Sequence, residues 1–136
     1  MRRKTGVAET DGIEVWAERL ARELADSVGR CVKAEDQAGL AFSGGIDSAL
    51  IALLAAGSGA SLGLYTVGLP GAHDLEASKK AAEALGLGKR HVAFELCQEE
   101  VLEAANRIRS LVPGTTLLEV SFLAPSFIVY KRARER

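Results

Sequence analysis

Ala38-Gly39-Leu40-Ala41-Phe42-Ser43-Gly44-Gly45-Ile46-Asp47-Ser48-Ala49-Leu50-Ile51-Ala52-Leu53-Leu54-Ala55-Ala56 is the stretch that decides the fold. Ala38 to Phe42 is a short apolar run, the length of a strand. Ala49 to Ala56 is apolar throughout, long enough for a helix, and Gly57-Ser58-Gly59 stops it. Between them lie two glycines, two hydroxyls and one carboxylate. Strand, glycine turn and helix in that order place bare backbone N–H groups at a helix N-terminus. Such a terminus attracts phosphate, because the N–H groups point outward and the helix dipole is positive there. Glycine lets the backbone approach an anion with no Cβ in the way.

The loop's chemistry narrows the ligand. A Walker-type loop needs a lysine followed by Ser or Thr, and this loop has Asp47-Ser48 instead. The G-x-G-x-x-G spacing of a dinucleotide loop is also absent. An acid beside a bare phosphate is repelled. It fits if Mg²⁺ lies between Asp47 and the phosphate oxygens. These residues therefore point to a Mg-nucleotide with its pyrophosphate at the turn.

The flanking sequence reads as alternating helices and strands. Residues 1–12 are polar and expected to fray. From Ile13, apolar residues recur at Val15, Trp16, Leu20, Leu24 and Val28, which predicts an amphipathic helix ending near Cys31 with Trp16 as a packing residue. The helix after the loop, apolar all round, is expected to be buried on several sides. Ser61 to Val67 reads as a second strand. Leu75 to Leu85 reads as a helix with Asp74 as its N-cap. Lys89 to Leu96 reads as a third strand, and Gln98 to Leu111 as a helix presenting Val101, Leu102, Ala105 and Ile108. A last helix is expected from about Glu119, with Pro125 as a kink or a late start. His73 and His91 read as surface histidines. This order gives an α/β fold, a parallel sheet with flanking helices, in one domain over residues 13–136.

Composition bounds the function. The 136 residues suffice for one core, and 48% of them are apolar. The net charge of −1 argues against a nucleic-acid partner held by bulk charge, although basic residues cluster at both ends. Cys31 and Cys97 have no CxxC spacing, so neither a disulfide framework nor a zinc site is expected, and a cytoplasmic location follows. No apolar run approaches the roughly 20 residues that span a bilayer, so no membrane partner is expected.

Ser43-Gly44-Gly45-Ile46-Asp47-Ser48 resembles the SGGxDS loop of the PP-loop ATP pyrophosphatases, the adenine nucleotide α-hydrolase-like superfamily. Within it, Tyr65 to Gly71, Asp74 to Ser78 and Ala81 to Gly86 resemble the synthetase domain of asparagine synthetase-like proteins. Thr115-Thr116, Ser121 and the helix to Arg136 resemble that domain's next segment. The resemblance implies a three-layer Rossmann-like fold, here shortened to about three strands. It implies ATP and Mg²⁺ as ligands, with AMP and pyrophosphate as products and an unidentified acceptor. By position it implies Ser43, Gly44, Gly45, Ile46, Asp47 and Ser48 as the pyrophosphate site, Asp47 as the metal ligand, and the backbone of Val67 and Gly68 as the adenine contact. It assigns no catalytic side chain.

The family's second, acidic glycine-rich loop has no counterpart in the sequence. Three functions follow as expectations. The first is an adenylating ligase domain that forms carbon–nitrogen bonds. The second is a non-catalytic nucleotide-binding module or a subunit of a split enzyme. The third is a tRNA-modifying relative. Strands beyond the strand at 38–42 are also missing, so its open edge is expected to be covered by a second copy or another chain.

Overall fold

The computed structural model describes residues 12–32 and 37–135. The expectation of a frayed 1–12 segment lies outside the described residues except at Gly12, which is the N-cap of the first helix. Five α-helices and three strands alternate. They are α1 (Ile13–Cys31), β1 (Gln37–Ala41), α2 (Ile46–Gly57), β2 (Ser61–Gly68), α3 (His73–Ala84), β3 (His91–Glu95), α4 (Gln98–Leu111) and α5 (Leu117–Arg134). The strands form one parallel sheet in the order β1-β2-β3. Gln37 stands opposite Ser61 and Ala41 opposite Tyr65; Leu64 stands opposite His91 and Gly68 opposite Glu95. The α/β architecture expected from the alternation is the one observed.

Side chains alternate across the sheet, and each face has its own core. Leu62 and Leu64 pack with Phe42, with Ala52 and Ala55 of α2, and with Ala82 and Leu87. Val67, pointing the other way, packs against Ala104 and Ile108 of α4 and Val120, Ala124 and Ile128 of α5. The sheet is therefore sandwiched between α2 and α3 on one face and α4 and α5 on the other. This is the three-layer arrangement, shortened to three strands. No helix is long and apolar enough to cross a membrane among the described residues.

Several boundaries and faces differ from the sequence reading. Helix α2 begins at Ile46, not Ala49, because extended Gly45 serves as its N-cap. It packs against α1 and the sheet but leaves one face open. Ala52 and Ala55 are inside, whereas Ile46 is 85% exposed and Leu50 and Leu53 are open to solvent. Apolar residues all round a helix imply neighbours on several sides; α1 and the sheet supply two of them, and the face of Ile46, Leu50 and Leu53 is left open. In α1 the expected stripe buries Val28 alone. Ile13, Trp16 and Leu20 are exposed, and Trp16 carries the Arg19 guanidinium over its ring at 5.4 Å. Leu102 of α4 is likewise exposed, with Ala104 buried in its place.

Helix α3 starts at His73 with Ala72 as N-cap, so Asp74 is a first-turn residue rather than the cap. Helix α5 starts earlier than Glu119, because Thr116 and Glu119 close a capping box ahead of it. It runs through Pro125 to Arg134. Strand β3 is shorter than expected at its start, where Gly88–Arg90 form a 3₁₀ turn.

Candidate functional site

The site is built where β1 leaves the sheet. Phe42 N–H donates to the Tyr65 carbonyl (2.8 Å), extending the β1–β2 ladder by one residue. The Phe42 carbonyl accepts from the hydroxyl of Thr66, which is buried in β2. The chain then turns through Ser43, Gly44 and Gly45. Gly44 has φ 78°, a left-handed conformation that favours glycine. Space imposes the same choice. A Cβ there would sit 2.8 Å from Ser78 Cα and 3.0 Å from Ser78 N, both backbone atoms of α3. Ser78 is fully buried beneath it, with its hydroxyl donating to the Leu75 carbonyl (3.1 Å).

The hydroxyls of the loop hold one another. Ser48 Oγ donates to the Gly45 carbonyl (3.0 Å), and Ser43 Oγ accepts from Gly45 N–H (3.3 Å). The two serine oxygens lie 3.2 Å apart. Ser48 has committed its proton to Gly45, so Ser43 donates between them. Ala49 N–H to the Gly45 carbonyl (2.9 Å) is the first helical bond of α2, and no side chain caps this end. The N–H groups of Ile46, Asp47 and Ser48 therefore lie ahead of the first helical bond, at the positive end of the dipole. Asp47 is exposed in that first turn. Among the described residues it makes no ion pair, so its carboxylate is free to take a cation.

Beside the loop a cavity of about 190 Å³ opens between the sheet and α5. Ala41, Phe42 and Ser43 form one wall, Thr66 and Val67 the floor, and Asp74, Pro125, Ser126 and Val129 the rest. It lies at the carboxyl ends of β1 and β2, where open α/β sheets hold their ligands. The structure thus brings Ser43 and Val67 to one cavity and sets Gly44, Gly45, Ile46, Asp47 and Ser48 on the turn next to it. Gly68 does not line the cavity, and its carbonyl accepts from Leu96 N–H (2.9 Å). Among the described residues no three His, Cys, Asp or Glu side chains cluster as a metal site. Asp47 is the single carboxylate on the loop, and it would suit a Mg²⁺ that takes its other ligands from outside the chain.

Four residues of the site are missed by sequence reading. Thr66 stands in the Leu62, Leu64, Thr66 alternation, so a hydroxyl at a core position is the available signal. His91 is not a surface residue. It is half-buried, its Nε2 lies 2.9 Å from Thr66 Oγ1, and its ring meets that of Phe42 edge-on at 5.8 Å. Burial, and then the charge of Lys79, push its pKa below the usual imidazole value. Ser78 and Ser126 carry no signal at all. His73 is exposed, as expected, and Cys31 and Cys97 are exposed free thiols.

Residues 19–136, which carry the turn, the cavity and all three strands, match the model of the family described as asparagine synthase. The chain belongs to the asparagine synthase family. It is also similar to the Methanocaldococcus jannaschii protein named Putative asparagine synthetase 1 (glutamine-hydrolysing). The two are 30% identical over 118 residues, which is 87% of this chain and 21% of that protein. The chain thus spans about a fifth of the length of that relative. Within the family match, Ser43–Ser48 is the loop that the SGGxDS resemblance singled out, and it leads into a helix N-terminus that no side chain caps.

Proposed function

We propose that this domain binds ATP with Mg²⁺ and serves an asparagine synthetase-like adenylating ligase. One observation carries the reading. An uncapped helix N-terminus, reached through a left-handed glycine, presents its N–H groups beside a free carboxylate and a cavity at the strand ends. In this reading the N–H groups of Gly45 to Ser48 receive the pyrophosphate portion, and the adenine lies toward Val67 and Gly68. Asp47 would hold Mg²⁺, which supplies charge neutralisation between carboxylate and phosphate. ATP opens between its α and β phosphates, and AMP passes to an acceptor carboxylate from which a nitrogen nucleophile displaces it. The chain's own part is to hold the pyrophosphate and keep the turn rigid through the Ser43–Ser48 pair. The free thiols Cys31 and Cys97 suit the reducing cytoplasm. The open β1 edge would be covered by a second copy or another chain.

Calorimetric titration with ATP, with and without Mg²⁺, tests the reading. It is followed by a pyrophosphate-release screen over amino acids and other carboxylates. Asp47→Ala is expected to weaken Mg²⁺-dependent ATP binding by about tenfold or more, as loss of a charged contact does. ADP as the product, or unchanged binding in the variant, sinks it. A second reading, nucleotide binding without turnover, is supported by Asp47 being the single acidic side chain on the loop. ATP binding with no pyrophosphate released for any acceptor selects it.

A further inference from the structure

We propose that His91, acting through Thr66, is a positioning residue that clamps the base of the Ser43–Ser48 loop. Thr66 has one hydroxyl proton, and the Phe42 carbonyl can only accept, so the proton goes there. Thr66 Oγ1 must then accept from His91 Nε2–H across 2.9 Å. That fixes the tautomer, with the proton on Nε2. Burial disfavours the charged ring, so the donor is neutral imidazole. A relay thus runs from β3 through β2 to the last residue before the loop.

Both backbone groups of Phe42 are now taken, its N–H by Tyr65 and its carbonyl by Thr66. The His91 ring also meets the Phe42 ring edge-on, so one histidine supports Phe42 through its hydrogen bond and its ring. Ahead of Phe42 the loop is held a second time, where Gly44 abuts Ser78. Between these two anchors the backbone has one path, and the N–H groups aimed at an anion share it. Thr66 also lines the cavity beside Ser43, so the clamp adjoins the site. Among the described residues, the hydroxyl that β2 carries between its leucines and the loop has Phe42 and His91 as its partners.

Amide hydrogen exchange over residues 42–49 of the ligand-free full chain tests the clamp, with α4 as internal reference. Thr66→Val and His91→Ala should raise exchange in that segment roughly threefold to tenfold while α4 stays unchanged. Thr66→Ser and His91→Gln, which keep the hydroxyl and the N–H donor, should restore it. Because the hydrogen bond of His91 reaches Phe42 through Thr66, the effects of Thr66→Val and His91→Ala should be less than additive in the double variant, which beyond Thr66→Val loses only the ring contact. Should Thr66→Val not fold, His91→Ala against His91→Gln decides. Unchanged exchange in His91→Ala, equal acceleration in α4, or additive effects in the double variant would each overturn the proposal.

The functional arm rests on the ATP reading. ATP should bind more weakly to His91→Ala by a similar factor and normally to His91→Gln. A wild-type chain that binds no ATP defeats that reading, and the exchange result then decides the clamp by itself.

Discussion

Gly44 and His91 show how single residues set the loop. Alanine at 44 faces two separate obstacles, a positive φ and the backbone of Ser78 at 2.8 Å, and backbone cannot swing aside as a long side chain can. His91 makes stability depend on pH. Its pKa is lowered in the folded chain, first by burial and then by Lys79, so the unfolded chain binds the proton more readily. Its contribution is complete above the ordinary imidazole value and is lost as pH falls through that value toward the folded one. The Glu100 and Glu119 carboxylates are also lowered, by the Cys97 and Thr116 backbone N–H groups respectively. Their contributions are present above the usual carboxylate range and fade only in that more acidic window. Between about pH 7.5 and about pH 5.5, the urea midpoint of the wild type should therefore fall more than that of His91→Gln. Equal slopes would show that His91 is not the titrating group.

At the scale of elements, α4 and α5 differ in how plainly they announce themselves. Helix α4 occupies the residues its periodicity marks, Gln98–Leu111. Helix α5 begins two residues before the start its sequence predicts, because Leu117 and Leu118 are exposed and lend no periodicity. What starts it is local hydrogen bonding. Glu119 accepts from Thr116 N–H (2.8 Å) and donates its own N–H to the Thr116 hydroxyl (3.3 Å). Thr116→Ala should cost about 1 kcal/mol in urea unfolding, the usual value of an N-cap. Since α5 carries Pro125, Ser126 and Val129 to the cavity, the variant should also weaken ATP binding modestly. A full-strength cap effect with unaltered binding would separate α5's start from the site. Helix α2 behaves in the opposite way. Its sequence suggests burial on several sides, and α1 and the sheet cover two, yet Ile46, Leu50 and Leu53 face outward, because propensity and hydropathy do not say how many neighbours an element will find.

At the scale of the whole molecule, β1 and β3 are the two edge strands of the sheet among the described residues. Strand β1 pairs with β2 and, among the described residues, with no strand beyond it. Its five residues, Gln37–Ala41, include no charge, no proline and no bulge, the devices that blunt an edge. Light scattering at tens of micromolar should accordingly give a mass above the 14.4 kDa of one chain; a clean monomer would count against a covered edge. The alternation of strands and helices, the turn at Ser43–Ser48 and its lack of lysine can all be read from the sequence, because each depends on residues adjacent in the chain. The tertiary structure alone decided which partners meet the loop. Thr66 reaches Phe42 across 24 residues and His91 reaches Thr66 across 25, while Ser78 comes under Gly44 from a different helix. Those meetings follow from the parallel register and the packing of α3 on the sheet, which no local pattern encodes.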